Sequence, residues 1–482
     1  MTGSTLPPLS DAGQSDKRKK PDMRAMPITD AVFLLSEGRE HPMHVGGLHL
    51  FRPPPDASDD LVGDFYRAAI ASNDVMRRLR RRPVRAIPGI GPWRWEEDSD
   101  LDLEYHVRHS ALPHPGRIRE LLALVSRLHG TLLDRSRPLW ETHLIEGLED
   151  GRFATYTKIH HAMMDGVAAM KLMERGLSTD PDERDMSPPL SQRADPQRPR
   201  PAGGDGFNPL SMAGSLVTGS VEGVKGIVGA SETAVRSFIR SFSDEANAFP
   251  FKAPATSLNV PITGARRFAA DSWSVDRLRI VAKGLGGTIN DVILAMSGGA
   301  LRRYLSELGE LPDDPLIAMV PVSLRTDDDG GEGNNVGIIL CNLGTHLDDA
   351  VRRFELVRES ADIGKLQLQG MNQAGVMLLS AASFAPLGLG GLYRFEALRR
   401  PPFNIVISNV PGPRERLYWN GAELDGVFPA SIPIDGQALN ITCTSYADQM
   451  GFGLTGCRRS APRLQRLLDH LETSLEELEA AV

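Results

Sequence analysis

Cysteine is scarce. The 482 residues hold three, Cys341, Cys443 and Cys457. The number is odd and the spacing fits no metal site, which excludes a disulfide framework, points to a reducing compartment and leaves no metal expected. Positive charge is not in excess either: 54 Lys and Arg against 62 Asp and Glu leave a net charge of −8, so nucleic acid is not an expected partner. The first 25 residues lack the apolar core of a secretory signal. Long hydrophobic runs are almost missing. One uncharged stretch, Leu366 to Tyr393, is long enough to span a bilayer, but Gln, Asn, several Gly and Pro386 dilute it. It reads as buried, and the chain as cytoplasmic, soluble or peripheral to a membrane.

What is present describes a globular protein, 41% hydrophobic and 24% charged. The length exceeds one ordinary core, so two domains of about 200 residues are expected. Residues 1–25 are Ser-, Pro- and Gly-rich with a Lys17-Arg18-Lys19-Lys20 run and read as a disordered tail. Residues 26–180 form a first half, 181–265 a Pro-rich linker followed by a crossing helix over Ser211 to Phe242, and 266–482 a second half. No internal repeat of 20–50 residues is found.

Within the first half a strand is expected over Val45 to Phe51, a helix from about Ser58 to Ser72, a strand at Leu103 to Val107 and a helix from Gly116 to Leu133. Arg77, Arg78, Arg80, Arg81, Arg82 and Arg85 make a dense basic stretch. It reads as a solvated, ion-paired face, with phosphate binding the alternative. The most informative segment is Lys158-Ile159-His160-His161-Ala162-Met163-Met164-Asp165-Gly166. It reads as the exit of a strand (Phe153 to His161) entering a helix near Asp165. Alternation puts Tyr156, Lys158 and His160 on one face and Ile159 and His161 on the other, so the two histidines cannot share one cavity. A histidine beside a turn suits proton transfer at neutral pH. Asp165 alone would be an ordinary helix cap.

In the second half Ser274 and Thr288 are expected to cap helices, and Thr288-x-x-Asp291 has the form of a capping box. Strands are expected over Leu316 to Arg325, Ile338 to Leu343 and Asn404 to Val410, a helix from Asp349 to Leu368, a hairpin from Leu439 to Cys457 and a closing capped helix from Ser460 to Ala480.

Pro138-Leu139-Trp140, His160-His161-x-x-x-Asp165-Gly166, Asn290-Asp291, the Pro321-Val322-Ser323-Leu324-Arg325 stretch and Asn404 to Pro413 follow one another in the order they have in the bacterial wax ester synthase/diacylglycerol acyltransferase family. The chain resembles that family over roughly residues 26–180 and 266–460. The resemblance implies an α/β fold of two chloramphenicol acetyltransferase-like halves, mixed sheets flanked by helices, with the active site between them. It also implies acyl-CoA as co-substrate, no permanently bound cofactor, and diacylglycerol or a long-chain alcohol as acceptor, at a membrane or lipid-body surface.

Matched to the family motif, His161 is the general base that takes the hydroxyl proton, and His160 orients or packs. Asp165 holds the turn, and Gly166 lets the backbone come close. Pro138, Leu139 and Trp140 shape the site by packing. Asn290, or the Ser408-Asn409 pair, is the candidate donor to the developing oxyanion, and Asn290 with Asp291 fits shaping or polarising the site. Two readings compete: a condensation-type transferase acting on an amine or sugar hydroxyl, and a non-catalytic lipid-binding protein of the same fold.

Overall fold

A computed structural model describes residues 24–72, 74–87, 90–191, 246, 248, 252–323, 336–370 and 400–482. The Lys17–Lys20 run, the expected crossing helix and most of the uncharged stretch after Leu366 lie outside the described residues.

A small sheet joins β1 (Arg24–Ala25), β3 (Arg81–Ile87) and β4 (Ile90–Glu97) in the order β1-β4-β3. A six-stranded sheet contains β2 (His44–Arg52), β5 (Val107–Ala111), β6 (Trp140–Glu146), β7 (Phe153–His160), β12 (Tyr418–Trp419) and β13 (Ala422–Ala430), ordered β12-β13-β2-β7-β6-β5. The other six-stranded sheet contains β8 (Arg266–Ser274), β9 (Ile317–Ser323), β10 (Val336–Asn342), β11 (Ile405–Val410), β14 (Leu439–Tyr446) and β15 (Gln449–Cys457), ordered β10-β9-β11-β14-β15-β8. Each large sheet mixes parallel pairs (β5 with β6; β11 with β9 and β14) into an antiparallel background. The two flanked mixed sheets are the expected architecture.

The first half carries α1 (Ile28–Ser36), α2 (Leu61–Ala71), α3 (Leu103–His106), α4 (Ile118–His129) and α5 (Gly166–Arg175). The second carries α6 (Val275–Gly284), α7 (Ile289–Glu307), α8 (Ala350–Gly370) and α9 (Arg466–Glu479). Leu121, Leu122 and Val125 recur at helical spacing on α4 and pack with Leu48, Tyr156 and Phe268. α7 begins with a complete capping box: Thr288 Oγ accepts the Asp291 N–H while Asp291 accepts the Thr288 N–H at 2.8 Å. Its Val292, Ile293 and Met296 enter the core between the second sheet and α6, α8 and α9.

Two expectations need correction. Leu103 to His106 is a helical turn, because Asp102 accepts the Tyr105 N–H at 3.2 Å; the strand starts only at Val107. The closing helix begins at Arg466 with no side-chain cap, and Ser460 instead lies 3.6 Å from the Cys457 sulfur. The arginine stretch runs into a strand hairpin that hydropathy did not reveal. There Arg77 pairs with Glu97 at 3.0 Å and Arg82 with Glu96 at 2.8 Å, which favours the ion-paired reading over the phosphate one.

The sheets do not divide along the chain. β12 and β13 follow β11 in sequence yet cross to the first sheet, where β13 pairs with β2 from Glu423↔Arg52 to Ala430↔Gly46. On the way β13 passes so close to β15 that a Cβ at Gly451 or Gly453 would overlap the carbonyl oxygens of Val427 and Pro429. Glycine is required there by the approach of backbone to backbone.

β7 is buried along its whole length, and its alternation is as expected: Tyr156, Lys158 and His160 share a face. Tyr156 donates to His129 Nδ1 at 2.7 Å, and His129 Nε2–H donates to the Ser431 carbonyl at 2.8 Å, tying α4 to the second half. Lys158 is fully buried. It donates to the carbonyls of Leu128 (3.0 Å) in the last turn of α4 and Thr131 (2.8 Å) just past it, and sits 3.4 Å from Glu141. Burial lowers its pKa, and Glu141 opposes the shift. Lys158→Met should cost about 3 kcal/mol in denaturant unfolding, because it takes the ammonium from the Thr131 carbonyl and from the buried Glu141 carboxylate, which among the described residues keeps only Arg108 and His143 at 3.4 Å. An unchanged unfolding midpoint would show that the ammonium contributes nothing net.

Candidate active site

The histidine pair sits where β7 ends. The His160 N–H donates to the Leu139 carbonyl at 2.9 Å and the His161 N–H to the Met43 carbonyl at 2.8 Å, so the pair is anchored between the start of β2 and the segment leading into β6. The chain turns at once: Met163 and Met164 N–H groups return to the His160 carbonyl at 2.9 and 3.3 Å. Asp165 then caps α5, accepting the Ala168 N–H at 2.7 Å. The turn thus lies between β7 and α5, and Asp165 is the residue that caps the helix after it.

The rings have different surroundings. His160 is fully buried; its Nδ1 accepts the Ala162 N–H at 3.0 Å. His161 is half-buried and stacks on Phe33 of α1, with ring centroids 4.1 Å apart and planes inclined by 18°. Surrounding protein still hydrates its charged form poorly. Burial drives the pKa down to about 4, the Asp165 carboxylate working against the shift and His160 with it. His161 is therefore neutral, with a free electron pair, throughout the physiological range.

Glu37 was not singled out in the sequence. It follows α1 directly, and its carboxylate is 1% exposed. Oε1 accepts the Met43 N–H at 3.2 Å and lies 3.3 Å from His160 Nε2; Oε2 accepts from Arg135 at 3.0 Å. Burial alone would raise this carboxyl, but His160, the Met43 N–H and Arg135 together hold it below its ordinary value. The same loop runs along the seam between the halves: His41 lies 3.0 Å from Asp435, and Arg266 donates to the Glu40 carbonyl at 2.7 Å. Chain separation hides Glu37 from any motif, and only its place just past an apolar helix hints at burial.

Pro138, Leu139 and Trp140 are buried where the chain enters β6. Leu139 packs with Leu34, Trp95 and Ala162, and its carbonyl receives His160. The Trp140 indole donates to the Leu79 carbonyl at 2.7 Å and stacks on His106 at 4.6 Å. Gly166 needs correction: a Cβ built there meets nothing within 4 Å, so close backbone approach does not explain it.

The second-half candidates are placed apart. Asp291 is 1% exposed and spent on the capping box, and Asn290 is half-buried beside it at the amino end of α7. Ser408 and Asn409 are half-buried on β11, opposite Thr442 and Cys443. Asn409 alternates onto the face of Ile405 and Ile407, which enter the main core, and Ser408 onto the other face with Val406. Among the described residues, none of these four shares a hydrogen bond, ion pair or ring contact with His161. A cavity of about 360 Å³ at the seam is lined by Leu48, Leu50, Leu122, Phe428 and Asp425 but by no residue of the histidine turn. The site is thus defined by its side chains and not by that cavity. No cluster of metal-ligating side chains occurs among the described residues.

The sequence matches the wax ester synthase/diacylglycerol acyltransferase catalytic domain over residues 26–293 and the C-terminal domain of the same family over 332–479. It is 49% identical to a Mycobacterium tuberculosis protein described as a probable diacylglycerol O-acyltransferase, over 95% of this chain and all of that one. Identity to the O-acyltransferase WSD of Acinetobacter baylyi is 43%, over 95% and 98% of the two chains. Among solved structures, the wax ester synthase/diacylglycerol acyltransferase of Marinobacter aquaeolei VT8 superposes with a TM-score of 0.76 at 40% identity, covering 95% of this chain and 99% of that one. The first condensation domain of the CDA synthetase shares the fold at a TM-score of 0.52 and 16% identity, covering 95% and 96%.

Proposed function

The chain belongs to the wax ester synthase/diacylglycerol acyltransferase family, and from that membership we propose that it moves a long-chain acyl group from coenzyme A to the free hydroxyl of diacylglycerol, giving triacylglycerol, with fatty alcohol as a second acceptor giving wax ester. His161 is the general base. The acceptor oxygen attacks the thioester carbonyl while its proton passes to the imidazole. The tetrahedral intermediate then collapses, the C–S bond breaks, and the imidazolium returns the proton to the departing thiolate. The thioester is already activated, so no acyl-enzyme is needed. Asp165 favours the imidazolium that forms in mid-reaction, and the oxyanion takes its donor from either Asn290 or the Ser408-Asn409 pair.

The observation that carries this reading is the environment of His161. It is a neutral imidazole on a fixed turn, stacked on an apolar helix beside a carboxylate. α1 also suits a lipid acceptor, since its Leu35 is 65% exposed and Asp30 is its one charged residue. We place the protein at the surface of a membrane or lipid body. No described helix is long and apolar enough to cross a membrane.

Purified protein given palmitoyl-CoA should release coenzyme A with diacylglycerol, and to a lesser degree with hexadecanol. Release with neither, while an amine or sugar acceptor is acylated, would favour the condensation-type reading. Lipid binding without any thioester cleavage would favour the non-catalytic one.

A further inference from the structure

His160 Nδ1 accepts the Ala162 N–H at 3.0 Å, so in the neutral ring the proton must sit on Nε2. That Nε2–H is buried and forms no well-aligned hydrogen bond among the described residues. The Glu37 carboxylate stands beside it, Oε1 at 3.3 Å, off the N–H axis but close enough to act through its charge. Glu37 is held there from both sides, by the Met43 N–H on Oε1 and by Arg135 on Oε2. Met43 in turn receives the His161 N–H on its carbonyl. One carboxylate therefore faces the ring that shapes the turn and grips the residue that anchors His161.

We propose that Glu37 is the positioning residue of this site: its carboxylate fixes His160 as the Nε2–H tautomer, leaving Nδ1 to hold the Ala162 N–H and so set the turn that presents His161. The inference rests on His161 being the base, as argued above. Glu37 never touches substrate in this scheme; it acts through His160. Glutamine in its place has the same shape and the opposite effect. The charged Arg135 holds an acceptor more strongly than the neutral Met43 N–H does, so the amide oxygen turns to Arg135 and the amide NH2 takes the place of Oε1, facing His160 and leaving the Met43 N–H without its acceptor. The ring must then accept at Nε2 and carry its proton on Nδ1, against the Ala162 N–H. The turn shifts, and a misplacement of about 1 Å costs on the order of a hundredfold in rate.

The test joins spectroscopy to kinetics. Long-range ¹H–¹⁵N correlation on histidine-labelled full-length protein, with His160 assigned by the signal lost in His160→Asn, should report Nε2–H in the unmodified protein. Glu37→Gln should move that proton to Nδ1 and lower kcat about a hundredfold, with KM for both substrates within about twofold. Glu37→Asp, which keeps the charge, should retain the Nε2–H form and recover at least a tenth of kcat. An Nδ1–H ring in the unmodified protein overturns the proposal even if no Glu37 variant folds. So does a Glu37→Gln protein that loses kcat with the tautomer unchanged, or that keeps kcat within threefold. A His161→Ala protein with full activity would instead sink the acyl-transfer reading and leave the tautomer result standing.

Discussion

Replacing His161 with alanine is expected to lower kcat for acyl transfer by about 10²–10⁴-fold, the usual reach of a positioned general base, while the far-ultraviolet spectrum and unfolding midpoint stay close to those of the parent. The ring is half-buried and stacks on Phe33, so its loss removes one aromatic contact and, among the described residues, no side-chain hydrogen bond to another residue. The accompanying pH profile departs from the one an ordinary histidine would give. Only the neutral ring can take a proton, and with its pKa lowered to about 4 the ring is already neutral at pH 5. The rate should therefore be level from about pH 5 to 8 and fall only toward pH 4, in place of a rise centred near 6.5. A rate that climbs tenfold between pH 5.5 and 7 would place the base in a more hydrated setting than the one described.

Acid should also unfold the protein early. Burial lowers His49 to about 4 and His129 to about 3, and takes His44 well below its ordinary value; His161 is at about 4. The sign follows from proton counts. Between roughly pH 6.5 and 4 the unfolded chain binds protons at these rings and the folded one does not. The stability they confer is complete above 6.5 and is lost as pH falls toward 4. At pH 5 each ring lowered to about 3 or 4 costs about 2 kcal/mol, and His44 acts in the same direction, so together they remove several kcal/mol from a modest total. Denaturant titrations at pH 7 and pH 5 should give clearly separated midpoints. Coincident midpoints would mean that these histidines are protonated within the fold. The structural reason they resist is visible at His129, whose two nitrogens are committed to the Tyr156 hydroxyl and the Ser431 carbonyl as acceptor and donor.

Much of this arrangement was legible before any coordinates, and the reasons differ by element. The junction of β7 and α5 declares itself locally: period-two alternation through Tyr156, Lys158 and His160, then an N-capping aspartate. The capping box at Thr288 is equally local. The β3–β4 hairpin was hidden because arginines and Pro83 mask its pattern, and ion pairs to Glu96 and Glu97 compensate across the strands. β13 was hidden for another reason: its register slips between Leu424 and Gly426, which breaks the alternation, and its partner β2 lies hundreds of residues earlier. Glu37 could not be read at all, since a single glutamate has no pattern and its role comes from His160, Met43 and Arg135 meeting in space.

The strand that leaves one half to complete the other has a practical outcome for anyone recombining relatives of this chain. A chimera cut once near residue 266 would join the first sheet of one parent to β12 and β13 of another, mismatching the β13–β2 rungs. Grafts that carry Tyr418–Ala430 along with the amino-terminal portion keep that seam native, so interchangeable pieces of this architecture are defined by three cuts and not one.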